Sequence, residues 1–484
     1  MKKLLVLIGI LMLCAAGIAG ATYLVGNKTE KRCTELLAKY QRLGPFTITA
    51  ENYRRGFLKS KFQTTVKIRV PNPDPQKNNP EAPDEIELVF EHILRHGPFI
   101  LQKEKGRESI IPAFVVIETR LSRVSPGNDR FQQFLQETPE LKAVAATTRI
   151  SFSGEVTSSL HLPSFAVDQD GTRFSFAGAV INTTYNARKK TIAANFELRP
   201  LKLQMQDGEL SWQGSQGEFE LFEGLPQIYV GISSANIAPL QIEYTKGNSG
   251  ERQRISMEGI KVTADSRCDG KLVHYNEKIN FAGITVNGKT FGPGRCELEL
   301  KNLDGEILGS IQTQAEEIYK NSDTFNPDEI NAQILPLYGQ LLTGLLTADP
   351  EFSIRNLHFT TPMGDLDGNL RVRFSGTPPE TLKRPAALLK TMNAEAAIEV
   401  DQRIINAMIG RFMKSNLEAA RKQGRLPQQY GDRELDQLAS RQADRQIEVM
   451  LQQNYFTRKG DLLRADATLK EGKLVLNGRE VRQL

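Results

Sequence analysis

The chain has 484 residues, of which 25% are charged and 39% hydrophobic, with a formal net charge of +5. That length can bury one large core or two to three ordinary ones, and the composition excludes a disordered chain. Lys and Arg are interspersed with Asp and Glu, leaving no basic patch or arm of the kind a nucleic-acid binder carries.

Residues 4–26, LLVLIGILMLCAAGIAGATYLVG, are uncharged and follow Met1-Lys2-Lys3. As a helix the run spans about 34 Å, enough for a hydrocarbon core, and it lacks the polar face of a buried core helix. Thr22 and Tyr23 suit an interface. The two lysines and the free amine favour a cytoplasmic N-terminus, although Lys28, Lys31 and Arg32 on the far side weaken that bias. The expectation is a cytoplasmic tail (1–3), a signal-anchor transmembrane helix (4–26) and the bulk of the chain in the periplasm, beyond a bacterial inner membrane. Cleavage at Ala19-Gly20-Ala21 is the alternative; the apolar run continues past it through Tyr23-Leu24-Val25. Cys14 follows Leu13, where lipidation needs a small residue, and reads as an apolar helix position.

Residues 29–42 read as a short polar helix ended by Gly44-Pro45. The period then becomes two. Phe62, Thr64, Val66, Ile68 and Val70 form one face of a strand, and Lys61, Gln63, Thr65, Lys67 and Arg69 form the wet one. A proline-rich loop (71–83) precedes a second alternating run from Glu85 to Glu91. From about 148 to 304 such runs recur, punctuated by Asp170-Gly171, Asp207-Gly208, Asp269-Gly270, Asn287-Gly288 and Asp304-Gly305, all read as hairpin turns. An apolar-x-Gly signature recurs irregularly at Phe152–Gly154, Phe176–Gly178, Trp212–Gly214, Phe281–Gly283 and Phe374–Gly376, which fits a long antiparallel meander better than a solenoid.

Helices are expected late. Asn326-Pro327-Asp328-Glu329 is a start signal for a helix burying Ile334, Leu335, Leu337, Tyr338, Leu341, Leu342, Leu345 and Leu346. A hairpin pivoting near Asp367-Gly368 follows. Ile404, Ile405, Met408, Ile409, Phe412 and Leu417 then recur at helical spacing, as a core stripe rather than a partner face. Residues 432–453 form another helix, and short strands close the chain around Asn477-Gly478. The fold class is α+β, mainly antiparallel β: a long meandering sheet with C-terminal helices packed on it, plus one N-terminal transmembrane helix. The β-rich body covers 27–304 and an α+β part covers 305–484.

Residues Gly283 to Thr290 satisfy the phosphate-loop formula, but Phe291-Gly292-Pro293-Gly294 leaves no helix to face a phosphate, so they read as a hairpin. Asp365-Leu-Asp367-Gly368-Asn369 and Asp168-Gln-Asp170-Gly171 resemble calcium loops; Leu370 and Arg173 stand where glycine is needed. The five histidines (92, 96, 161, 274 and 358) are too scattered for a metal site by spacing. Outside the cytoplasm Cys268 and Cys296 either pair or remain free thiols, with Cys33 left over. No catalytic residue, cofactor, metal, nucleotide or nucleic acid is indicated.

Several stretches together resemble the YdgA-like family of bacterial envelope proteins of unknown function. They are the N-terminal apolar run, Tyr53-Arg54-Arg55-Gly56 leading to Ser60, His96-Gly97-Pro98-Phe99, Asp349-Pro350-Glu351-Phe352, Thr361-Pro362-Met363-Gly364, and Gly472 to Gly478. The resemblance implies an inner-membrane anchor, a β-rich periplasmic body and no assigned catalytic residues. The functional expectation is a binding or scaffolding role in the envelope. One-sided apolar strands would form a groove for lipid or another apolar ligand, or a homodimer or envelope partner would join through sheet edges. The alternative is an envelope hydrolase with a site assembled from distant residues, His96 being the first to test.

Overall fold

The computed structural model describes residues 22, 25, 28–31, 35, 41–43, 46–70, 84–104, 107–125, 136, 138–169, 171–246, 250–321, 327–377, 385–427 and 430–483. The expected anchor (4–26), apart from residues 22 and 25, and the proline-rich loop 71–83 lie outside that set. Among the described residues no helix is long and apolar enough to cross a membrane. The architecture is mainly antiparallel β, with long sheets and helices in the C-terminal part. Two compact units form: residues 1–233 with 309–339, and residues 234–308 with 340–484. The first long helix begins at Gly305.

The first unit is a meander in which each strand pairs antiparallel with the next. Its strands are β1 (Phe46–Arg54), β2 (Lys59–Val70), β3 (Asp84–His96), β4 (Val115–Ser125), β5 (Ala145–Ile150), β6 (Glu155–Leu162), β7 (Ala179–Asn186), β8 (Thr191–Leu198) and β9 (Ser215–Leu225). The alternation predicted in β2 sets its faces. Phe62 packs with Leu94 and Val115, and on the other face Lys67 lies opposite Glu87 at 2.7 Å. Ile100, Ala113 and Val116 form a further small core. The polar helix expected over 29–42 is helical at 28–31 and 35, but the chain is already extended at Arg42, before Gly44-Pro45.

The second unit continues the same logic through β10 (Ile260–Asp269), β11 (Leu272–Phe281), β12 (Gly294–Asp304), β13 (Glu351–Thr361), β14 (Gly364–Phe374), β15 (Met392–Asp401) and β16 (Leu462–Lys470). Four long helices are described: α1 (Gly305–Asn321), α2 (Pro327–Leu345), α3 (Gln402–Lys422) and α4 (Asp432–Gln452). Asp401 starts α3 by accepting from the Arg403 amide at 2.9 Å. On α4, Leu435, Ala439, Ala443 and Ile447 are buried at every fourth position, a straight stripe along one helix face. Ile404 of α3 and Ile447 of α4 close on Val400 and Leu463 of the sheet. Each such side chain contributes about 1.5–3 kcal/mol on burial.

Three expectations are corrected here. Asp304-Gly305 is not a hairpin: Asp304 Oδ1 accepts from the amides of Glu306 and Ile307 at 2.9 and 3.2 Å, capping α1. Asp serves equally in turns and at helix N-caps, so the dipeptide alone did not separate them. The C-terminal hairpin turns at Pro362-Met363 rather than Asp367-Gly368, because Thr361 pairs with Gly364 and Asp367-Gly368 runs mid-strand opposite His358 and Leu357. The apolar side of α2 is only partly buried: Leu337 is covered, whereas Leu335, Tyr338 and Leu342 are more than half exposed.

Short hairpins interrupt the meander at one end. Phe165–Gln169 with Thr172–Phe176 lies between β6 and β7, and Leu201–Met205 with Gly208–Trp212 lies between β8 and β9. These hairpins pair with each other, apart from the main sheet. The return passes through Gly178 and Gly214, with φ of +99° and +104°. A Cβ there would sit 2.7 Å from the Leu162 carbonyl oxygen and 2.2 Å from that of Leu198. At Phe176–Gly178 and Trp212–Gly214 the apolar-x-Gly signature is therefore a strand corner, whereas Gly154 and Gly376 have open space around them. The aromatic packs in the short sheet, and the glycine lets the backbone swing back against its neighbour. Gly214→Ala is expected to cost about 2–4 kcal/mol of stability. Gly288→Ala, at a turn with open space around it, is expected to cost about 1 kcal/mol. Urea unfolding of both variants checks the difference, and equal losses would refute the close approach as the constraint.

Candidate functional site

His96 closes β3, and the cross-strand register brings it to Ser60 of β2, with Nε2 2.8 Å from Oγ. Ser60 is fully buried and His96 is 3% exposed. Burial, and then the nearby Arg55 charge, push the His96 pKa down. Its Nδ1 has no hydrogen-bond partner among the described residues, so no carboxylate orients the ring as a triad would require. One rung pair away, His92 bridges Thr64 Oγ1 (2.7 Å) and Thr119 Oγ1 (2.9 Å) and stacks on Phe62 at 4.3 Å. Burial lowers its pKa to about 4. Each hydroxyl satisfies a neutral imidazole without introducing a buried charge. Ser60 has a base beside it but no path to solvent, so the pair works as a core contact.

The wet face of β12 to β16 forms a groove of about 770 Å³ lined by five basic and five acidic side chains. Opposite charges interleave there. Glu351 is held by Arg371 at 2.7 Å and Lys301 at 3.6 Å, and Glu299 by Lys301 at 2.9 Å and Arg355 at 2.5 Å. Burial works against ionisation of Glu351, but the hydrogen bond and charge of Arg371 hold its carboxyl below the usual range. Equal numbers of each sign leave no net field for a charged ligand, and the face reads as a cross-strand ion-pair ladder.

The corners create a different kind of surface. In the first unit Phe165, Phe176, Ala177 and Leu201 line an open cleft of about 440 Å³ beside Gly178. In the second unit a cleft of about 560 Å³ opens where β10, β11 and β12 turn into the short hairpins. Its floor is Ile237, Ile260, Phe281, Ala282 and Pro293, and its rim holds Lys261, Arg295 and His358 with Asn236 and Asn280. Phe281 is backed by Phe359, ring centroids 6.3 Å apart, and His358 is oriented by Asp367 at 2.8 Å. No carboxylate is among the residues lining this cleft. Both volumes lie within the range of small-molecule sites, and apolar walls with a few convergent polar groups are their usual chemistry.

A family model described as a bacterial protein of unknown function, DUF945, matches residues 1–483. The chain belongs to that family. No curated protein and no solved structure matches it.

In this DUF945 protein the residues singled out by motif are dispersed. Cys268 and Cys296 are free thiols, a correction to the pairing alternative. Cys268 faces Val273 and Cys296 faces Ile279, so they sit on β10 and β12 with β11 between and six rungs of offset, roughly 20 Å along the strands. Burial raises both thiol pKa values, with Glu277 and Glu297 adding to the effect at Cys296. The phosphate-loop match is a hairpin of Ile284–Val286 and Lys289–Phe291. Asn287 and Gly288 have φ of +49° and +80°, the paired positive values of a type I′ turn. Asp365 and Asp367 lie on an extended strand instead of wrapping a cation; the segment at Asp168 is a hairpin arm, and Asp170 is outside the described residues. The signal that did lead to the clefts is the apolar-x-Gly signature, since Phe176-Ala177 and Phe281-Ala282 line them.

His92 takes up its proton only well below the unfolded value of 6.5, so between those values the unfolded chain binds more protons and stability falls as pH falls. The expected loss from His92 between pH 6.5 and 4 is on the order of 2–3 kcal/mol. His92→Gln should flatten that part of the stability–pH curve, which chemical denaturation at stepped pH measures.

Proposed function

We propose that this protein is an envelope binding protein held at the bacterial inner membrane by residues 4–26, with its N-terminus cytoplasmic and its body periplasmic. We further propose that the cleft of β10 to β12 takes an amphiphile with an apolar chain and an anionic group. The observation that carries the reading is the pairing of an apolar floor (Ile260, Phe281, Pro293) with a rim of Lys261, Arg295 and His358 free of lining carboxylates. An acyl chain or similar group loses water contact on the floor, while Lys261 and Arg295 meet an anionic head. The neutral ion-pair groove on the neighbouring strands offers no such selectivity.

The resemblance to YdgA-like envelope proteins and the uncharged run at the N-terminus support the placement. A binding role is also favoured over hydrolysis by the burial of Ser60 beside His96, which keeps the serine–imidazole pair of β2 and β3 away from substrate. Full-length protein purified in mild detergent is expected to retain an amphiphile detectable by mass spectrometry of the extracted complex. Phe281→Asp should reduce its occupancy at least tenfold, about 1.4 kcal/mol or more, and Arg295→Glu should weaken anionic but not neutral amphiphiles. Equal retention by the wild type and both variants would rule this cleft out.

A further inference from the structure

Unit one ends in an apolar tip. Three loops lie side by side at the same end of its meander: 55–58 between β1 and β2, 97–114 between β3 and β4, and 151–154 between β5 and β6. Backbone hydrogen bonds stitch them together, from the His96 amide to the Leu58 carbonyl (2.9 Å) and from the Phe114 amide to that of Ile150 (2.8 Å). Six large apolar side chains on these loops are more than half exposed: Phe57, Leu58, Phe99, Leu101, Ile110 and Phe152. The hairpin of Phe99–Glu104 and Arg107–Pro112 is apolar on both faces at its base, and its outer pairs, Gln102 with Ser109, Lys103 with Glu108 and Glu104 with Arg107, are polar. Ile100 and Ile111 belong to a core on one side, whereas Phe99, Leu101 and its cross-strand partner Ile110 point the other way. A patch of this kind on a polar protein marks an interaction surface.

Two observations identify what covers it. Arg54 and Lys59 border the loop 55–58 in the chain, and Arg149, which donates to the Pro112 carbonyl at 3.3 Å, stands just before the loop 151–154, whereas Arg95 is engaged by Glu118 at 2.9 Å. In addition, Glu30 lies 3.6 Å from Arg55 at this tip. Glu30 is four residues beyond Gly26, the last residue of the uncharged run. Four residues span at most about 14 Å. The last residue of the uncharged run therefore lies within about 14 Å of Glu30 at the apolar tip, not at the opposite end where β1 begins.

We infer that this tip docks on the surface of an anionic lipid bilayer, with Phe57, Leu58, Phe99, Leu101, Ile110 and Phe152 entering the headgroup boundary and the basic residues meeting lipid phosphates. The inference rests on the anchoring reading above and adds an orientation to it: the strands of unit one stand with the tip against the membrane and the glycine corners away from it.

The test uses full-length protein reconstituted in phosphatidylethanolamine–phosphatidylglycerol vesicles with brominated acyl chains, which quench tryptophan only at the bilayer. The single native tryptophan, Trp212, sits at the opposite end of unit one and supplies the baseline. Phe57→Trp, Phe99→Trp and Phe152→Trp are each expected to add emission of which roughly half or more is quenched, with Trp212 unaffected. Replacing phosphatidylglycerol by phosphatidylcholine should reduce that quenching. Protein that floats with the vesicles while all three added tryptophans stay unquenched overturns the docking and leaves the anchor intact. Protein that does not float overturns the anchor and the docking together. Quenching of Trp212 as strong as that of the tip tryptophans overturns the orientation.

Discussion

The tolerance of one strand for the backbone of its neighbour governs this fold. At Gly178 and Gly214 the chain returns from a short hairpin to the long meander so closely that a single added carbon would meet a carbonyl oxygen. Any other residue would force the strands apart and interrupt the ladder that satisfies their amides. Because the crossing is possible, the short hairpins form a second sheet, of eight strands among the described residues, apart from the long one. Apolar side chains at these corners, Phe176 and Phe281 among them, face open clefts. Phe176, two residues before Gly178, thus serves packing in the short sheet and lining of the cleft at once.

Polar groups inside the strands follow a consistent economy of charge. His92 and His96 lie on a buried face but stay neutral, each matched to a hydroxyl two positions along the neighbouring strand from its register partner. Glu351 keeps its charge only because Arg371 and Lys301 reach it from adjacent strands. In both cases the alternation of the strand brings the partners onto one face, and the ladder supplies the distance. The cation-rimmed cleft departs from this pattern, since no carboxylate is among the residues that line it, although Arg295 also borders the ion-pair groove.

The helices divide their apolar residues between inside and outside. On α3, Ile404 joins the core and Ile405 and Ile409 pack against it, while Met408 and Phe412 stay well over half exposed. Four residues apart, those two share a stripe, so the six-residue apolar pattern is a core seam with an open flank. On α2 the outward stripe is Leu335, Tyr338 and Leu342. Helical spacing reveals that a face is apolar, and only the neighbouring elements decide whether it is covered.

Sequence alone determined what depends on neighbours along the chain: the alternation of β2, the Asn287-Gly288 turn, the start of α2 at Pro327 and the mainly antiparallel class. Each follows from local sterics or from a period of two or 3.6 residues, which a few consecutive side chains carry in full. Tertiary structure alone decided whatever depends on strands far apart in the chain. It turned Asp304-Gly305 into a helix cap, ran Asp367-Gly368 through mid-strand, kept Cys268 and Cys296 two strands apart, and set Ser60 against His96. It also gathered Phe57, Phe99 and Phe152 onto one tip. The physical reason is register: hydrogen-bond pairing between strands fixes which side chains share a rung, and that choice is made by the whole sheet at once.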